Sequence, residues 1–205
     1  MWYLRWVGWG VVLANLSACG SLQKTPDDAA SESIAIAPLS VQLCPRIKVS
    51  NAPNLKRAST GCVHGIKLLV APAPKACLSS GFGKRLTRRH TGIDYQSKPA
   101  GAVIAAGNGT IVEIGFRKKD FGNWMIIDHG EGVYTSYAHL ARFNKSIHRG
   151  SKIVRGQKLG IMGSSGNITD AIHLHYEMRE GDYNKERNWW LLDPVDPFSL
   201  PNRCS

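Results

Sequence analysis

The chain has 205 residues, 43% of them hydrophobic, and carries 26 Lys and Arg against 15 Asp and Glu, a formal charge of +11. That length holds one domain of ordinary size plus a tether, with apolar residues enough for a packed core, and is too short for a roomy two-domain enzyme. The charge attracts acidic polymers in general; with no basic helix or aromatic-rich RNA-binding motif beside it, no nucleic-acid partner is expected.

The first predicted element is an export signal over residues 1–18. Arg5 is the only charged residue before Asn15, and the apolar run from Trp6 to Leu13 is too short to span a bilayer, which takes ~20 helical residues. The run leads into Leu16-Ser17-Ala18-Cys19, which resembles the processing box of bacterial lipoproteins. The resemblance implies a mature chain lipidated on Cys19 and anchored to membrane at the periplasmic face of the cell envelope. Gly20, rather than an acidic residue, after the Cys implies the outer membrane. With Cys19 set aside, Cys44, Cys62, Cys77 and Cys204 form an even set in a compartment that permits oxidation, which reads as two disulfides. Three pairings are open; Cys44–Cys62 with Cys77–Cys204 is preferred, because it staples the tether locally and closes the ends of the main domain. None of these cysteines has the spacing of a structural zinc knuckle.

Residues 19–76 read as a tether. Pro26-Asp27-Asp28 and Ser31-Glu32-Ser33 are turn-forming, and Ala71-Pro72-Ala73-Pro74 is expected to be an extended linker. A small ordered patch is placed between Cys44 and Cys62, with short strands at Ile47-Lys48-Val49 and from Ile66 to Val70. The main domain, 77–205, has short apolar runs separated by Gly-containing turns. Strands are predicted from Ala102 to Ala106 and Thr110 to Phe116, flanking Gly107-Asn108-Gly109 as a hairpin. Further strands follow from Asn123 to Asp128, Gly132 to Leu140, Lys152 to Val154, Lys158 to Met162 and His173 to Arg179. The expected fold class is all-β, an antiparallel two-layer domain with an open groove.

Chemistry concentrates in two short segments. In His173-Leu174-His175-Tyr176-Glu177, alternation along a strand puts His173, His175 and Glu177 on one face. In His90-Thr91-Gly92-Ile93-Asp94, positions 90, 92 and 94 share a strand face, and Gly92 leaves room between imidazole and carboxylate. Two His and one Asp make a nitrogen and oxygen set that suits tetrahedral zinc with one position open. Zinc there would make water acidic enough to ionise near neutral pH and would polarise a bound carbonyl. No His-Glu-x-x-His helix supplies a Glu base, so spare imidazoles must handle protons.

The ordered set Phe82-Gly83-Lys84-Arg85, His90-x-x-x-Asp94, Ile126-Ile127-Asp128-His129-Gly130, Tyr137-Ala138-His139-Leu140, Gly156-Gln157-Lys158-Leu159-Gly160 and His173-Leu174-His175 resembles the lysostaphin-type, LytM-like zinc endopeptidases, whose fold is the duplicated hybrid motif. The resemblance runs from Ser79 to Leu200. It implies one Zn2+ held by His90, Asp94 and His175, with His139 and His173 beside it as base and transition-state stabiliser. It also implies hydrolysis of peptide cross-links of peptidoglycan, either glycine bridges or bonds between D-alanine and the next stem's diamino acid, so peptidoglycan stem peptides are the expected partner.

Three stretches depart from the family pattern. Thr169-Asp170-Ala171-Ile172 replaces the usual Thr-Gly-x step before His173, Gly81 stands where relatives place Pro, and Lys185 to Leu192, with Trp189 and Trp190, looks inserted. The changes bear on groove shape more than on metal binding. His129 is expected to support the sheet from a turn, and His64 and His148 to be solvated. Trp189 and Trp190 read as packing before sugar platform. Arg88-Arg89 and Arg117-Lys118-Lys119 read as solvated loop charge before a hold on anionic wall polymers. The alternative function is a non-catalytic envelope lipoprotein that binds wall or activates an amidase; a second is a zinc peptidase acting on a secreted protein.

Overall fold

A computed structural model describes residues 41–45, 60–85, 88–166, 171–183 and 188–204. The export signal, Cys19, the expected strand at Ile47-Lys48-Val49, Thr169-Asp170 and the start of the insertion at Lys185 lie outside the described residues. Among the described residues no helix is long and apolar enough to cross a membrane.

In chain order the strands are β1 (Gln42–Leu43), β2 (Thr60–Val63), β3 (Ile66–Leu69), β4 (Cys77–Ser80), β5 (Gly83–Lys84), β6 (Arg89–His90), β7 (Ile93–Gln96), β8 (Ala102–Ile104), β9 (Gly109–Arg117), β10 (Gly122–Asp128), β11 (Val133–Leu140), β12 (Arg142–Phe143), β13 (Lys152–Ile153), β14 (Lys158–Ile161), β15 (His173–Glu180) and β16 (Asp193–Val195). 3-10 turns follow at Trp189–Leu191 and Pro197–Ser199. The main sheet runs β1-β4-β7-β15-β11-β10-β9-β13, with β16 beside β15, and β12-β14-β8 form a second, smaller sheet. The fold is all-β, and its pairs are antiparallel except β1 with β4, which is parallel.

Alternation sorts the main sheet into a core face and a groove face. Ile93, Tyr95, Tyr137, Leu174, Tyr176 and Met178 point to the core, where Val103, Ile104 and Leu159 of the small sheet meet them. The intervening Asp94, His173, His175 and Glu177 therefore face the other way, and all four line one groove. On that side Phe121, Trp124, Ile126, Tyr134, Ala138, Trp189 and Leu192 make a second apolar cluster.

Three local expectations are corrected. The hairpin at Gly107-Asn108-Gly109 does not form: β8 pairs with β14, and β9 pairs with β10 and β13. The segment crosses between sheets instead, and a Cβ on Gly107 would stand 2.4 Å from Leu68 Cδ2. The tertiary packing, not a turn, uses this glycine.

The linker at Ala71-Pro72-Ala73-Pro74 is core: Ala71 and Ala73 are buried. Proline cannot donate to a ladder, but its carbonyl accepts, and Ile104 N–H donates to Pro72 O at 2.9 Å. Buried hydroxyls hold the same stretch, Tyr95 Oη on Val70 O at 2.8 Å and Tyr176 Oη on Leu69 O at 3.2 Å.

The preferred cysteine pairing is also wrong. The bonds are Cys44–Cys77 and Cys62–Cys204, with Cα atoms 4.8 and 5.2 Å apart. The cause is strand pairing. β1 runs parallel to β4 with Gln42 and Leu43 opposite Cys77 and Leu78, and Cys44 N–H donates to Leu78 O at 3.0 Å, which holds Cys44 within bonding reach of Cys77. Cys62 N–H donates to Pro201 O at 2.7 Å, which brings β2 to the C-terminal segment.

Candidate metal centre

His90 and Asp94 do not share one strand as expected; the chain bends at Thr91-Gly92, so His90 ends β6 and Asp94 sits in β7. The bend lets the β5–β6 hairpin fold over the floor made by β7 and β15. Gly92 is required there, because a Cβ would stand 2.5 Å from Tyr176 O and 2.9 Å from His175 Cε1. Asp94 and His175 are register partners across β7 and β15.

Three donor atoms converge. His90 Nε2 lies 3.2 Å from His175 Nδ1 and 3.2 Å from Asp94 Oδ1, and His175 Nδ1 lies 2.8 Å from Asp94 Oδ1. The outward nitrogens are engaged elsewhere. His90 Nδ1 is 2.7 Å from Gly81 O, which can only accept, so this nitrogen carries the proton and Nε2 turns inward. His175 Nε2 donates to Glu177 Oε1 at 2.8 Å, which leaves Nδ1 inward. Such outer partners fix ring orientation in metal sites.

Glu177 is itself saturated. Thr91 Oγ1 donates to its Oε1 at 2.7 Å, and Arg179 Nε and Trp189 Nε1 donate to its Oε2 at 2.8 and 2.9 Å. Arg85 Nη2 donates to Asp94 Oδ2 and to Ser80 Oγ, each at 2.6 Å.

The charges follow from these contacts. Burial works against ionising Asp94, but hydrogen bonds from His175 and His90 outweigh it and hold the carboxyl well below its usual range. Burial likewise disfavours a charged His175, yet its bonds to Asp94 and Glu177 prevail and lift its pKa to about 9. Glu177 falls to about 2 for the same reason, burial being overcome by His175 and Arg179.

The set passes a fit test for zinc. Tetrahedral zinc with bonds of ~2.0–2.2 Å needs ligand atoms about 3.3–3.6 Å apart, and both edges from His90 are close to that. The shorter edge from His175 to Asp94 is a hydrogen bond, the length expected when a proton rather than an ion lies between the atoms.

His139 reaches the groove through a β-bulge. Between Tyr137 and Leu140, β11 has one residue more than β10 has between Met125 and Asn123. His139 takes a left-handed φ of 63°, rare for a non-glycine residue. Without the bulge its parity would match Tyr137 and aim it at the core; with it, Leu140 takes the core place and His139 turns out. Its Nδ1 donates to Ser165 O at 2.9 Å, and its ring lies 4.7 Å from that of His173. Burial, partly offset by the Ser165 bond, pushes its pKa down to about 4, so it is neutral at pH 7.

The same fold recurs in known proteins. Residues 88–189 match Peptidase family M23. This domain belongs to that family. The chain is 38% identical over 137 residues to the DD-carboxypeptidase/endopeptidase Mpg of Neisseria meningitidis, an alignment covering 64% of this chain and 28% of that protein. It therefore spans just over a quarter of that relative's length. A zinc-containing peptidase from Vibrio cholerae superposes with a TM-score of 0.51 and 26% identity, over 64% of this chain and 39% of that one. The catalytic domain of lysostaphin from Staphylococcus simulans gives 0.51 and 26%, over 60% and 90%.

The remaining expected residues separate clearly. His173 lines the groove, its Nδ1 donating to Ala171 O at 3.0 Å. Trp189 is buried beneath the centre on Glu177, whereas Trp190 is 45% exposed and stacks on Phe121 with ring centroids 5.0 Å apart. His129 bridges Asn108 O and Thr135 Oγ1 from the turn after β10. His64 and His148 are exposed. Among the participants given no role from sequence are Arg85, Glu177, Phe121 and the carbonyl of Gly81. Glu177 was legible as a neighbour of His175 on its strand face; a backbone carbonyl leaves no such signal.

Proposed function

We propose that this chain is a zinc-dependent endopeptidase that hydrolyses peptide cross-links of peptidoglycan, exported and held at the periplasmic face of the outer membrane by lipid on Cys19. The observation that carries the catalytic reading is the inward triangle of His90 Nε2, Asp94 Oδ1 and His175 Nδ1, whose ligand atoms all lie within 4.8 Å of one another. Membership of Peptidase family M23 and similarity to a DD-carboxypeptidase/endopeptidase support peptide hydrolysis and this substrate class.

His90, Asp94 and His175 would hold a zinc ion, which would polarise a peptide carbonyl and make water ionise near neutral pH. The chain's own residues do the rest. Arg85, steadied by its bond to Ser80 Oγ, holds Asp94 in place. Neutral His139, its Nδ1–H spent on Ser165 O, keeps an Nε2 lone pair to take the proton of the attacking water and return it to the leaving amine. His173 lies beside His139 with Nδ1–H held on Ala171 O, and an Nε2–H, present only in the doubly protonated ring, would donate to the substrate oxygen as negative charge grows on it. Phe121, stacked between His175 and Trp190 at 5.5 and 5.0 Å, walls one side of the centre from water.

The test is digestion of purified sacculi by the full chain carrying Cys19→Ser, with zinc, and mass spectrometry of released muropeptides beside a His90→Ala variant. Cleavage products from the first and none from the second are expected. Identical profiles refute the enzyme and leave a non-catalytic wall-binding lipoprotein.

A further inference from the structure

We propose that Arg88, Arg89 and Lys119 form a cationic rim that selects anionic peptides, so that the cross-links taken carry a free carboxylate beside the scissile amide, in preference to uncharged glycine bridges. This rests on the peptidase reading above and narrows its substrate class.

All three side chains are exposed and line the same groove of about 600 Å³ as the His and Asp centre. Among the described residues none has a carboxylate partner. The acidic groups of the groove are already committed: Asp94 to Arg85 and the two imidazoles, Glu177 to Arg179, and Asp120 to Arg117 through two bonds of 2.8 and 3.0 Å. Positive charge is thus left over on the rim, and it comes from two places. Arg88 and Arg89 belong to the hairpin over β7, with the Arg89 guanidinium held 5.3 Å from the Phe82 ring, while Lys119 sits in the turn joining β9 to β10. In sheet order β7 and β10 lie on opposite sides of β15, which carries His173 and His175. A substrate across the centre meets cations at either hand.

The substrate chemistry distinguishes the two cross-links. When the diamino acid of a cross-link has two carboxyl groups, the amine that forms the bond shares its carbon with a carboxylate that stays free, next to the nitrogen that hydrolysis releases. A glycine bridge has no charge and no side chain, so it would leave the rim unpaired. Each exposed cation–carboxylate contact is expected to change KM by about two- to five-fold at low salt, and the effect fades as the screening length falls to ~3 Å at 1 M.

The test uses the zinc-loaded chain and two peptide dimers joined through a diamino acid, one with free carboxylates and one amidated, plus pentaglycine. The unmodified chain should show a KM about tenfold lower for the free dimer, and Arg88→Gln/Arg89→Gln/Lys119→Gln should lose most of that preference. Lys145→Gln, which removes one charge outside the groove, should keep it. Equal KM for both dimers, or a preference unchanged in the triple variant, overturns the rim alone. In parallel, His90→Ala protein is titrated with both dimers by fluorescence anisotropy. Tighter binding of the free dimer with no hydrolysis by the zinc-loaded chain refutes the peptidase and leaves the rim standing; equal or absent binding overturns the rim.

Discussion

Replacing Glu177 by Gln tests whether one buried carboxylate both supports the fold and aims the metal site. Its two oxygens receive His175 and Thr91 on one side and Arg179 and Trp189 on the other, and its residue is only 1% exposed. An amide in the same place turns one oxygen into a donor, so whichever way it lies two donors lose their acceptor. Two hydrogen bonds to a charged group at ~1.5–3 kcal/mol each, or one buried pair broken from one side at ~3–5 kcal/mol, agree on a loss of about 3–5 kcal/mol. At ~2–4 °C per kcal/mol for a domain of this size, Tm should fall by roughly 6–20 °C. Zinc affinity should fall about 10- to 100-fold as His175 loses its orienting partner. Calorimetry of the metal-free protein and competition with a zinc chelator measure the two separately. Glu177→Gln/Arg179→Met should recover part of the Tm but not the affinity, because removing both charges leaves no unpaired ion while His175 stays unsupported. A single variant within 2 °C of the unmodified Tm and with unchanged affinity would refute this account.

Zinc binding at pH 7 should release about one proton, since His175 with a pKa near 9 holds a proton on Nδ1 that the ion must displace. Calorimetric titration in buffers of different ionisation enthalpy counts it, and no buffer dependence would contradict the assignment. His139→Ala should lower kcat about 10²-fold or more while the protein still binds one zinc, checked by single-turnover hydrolysis and metal analysis. Burial pushes the His129 pKa below 6.5, against the pull of its bond to Asn108 O, so its neutral form is the folded one. The stability it contributes is complete above pH 6.5 and lost as pH falls below that value. Melting curves from pH 8 to 5 should therefore drop further for the unmodified chain than for His129→Gln. Non-reducing peptide mapping should recover Cys44 with Cys77 and Cys62 with Cys204.

The sequence by itself determined the all-β class, the alternation that puts Leu174, Tyr176 and Met178 in the core, and the pool of donors His90, Asp94, His173 and His175, from which the family resemblance selected His175 over His173. Class, alternation and donor pool are properties of period two and of donor chemistry, which the chain order displays directly. Only the tertiary structure decided what depends on partners distant in sequence. The bulge that reverses the parity of His139 comes from its pairing with β10, not from its neighbours. The cysteine pairing follows from β1 returning as a parallel strand beside β4. Ala71 to Ala73 look like a linker because proline and alanine suit an extended, solvated chain, yet they are buried, since β8 engages the Pro72 carbonyl and the hydroxyls of Tyr95 and Tyr176 hold the preceding carbonyls of Val70 and Leu69. Local composition records what a segment is able to do, whereas burial and hydrogen bonds to remote strands settle which of those options the folded chain adopts.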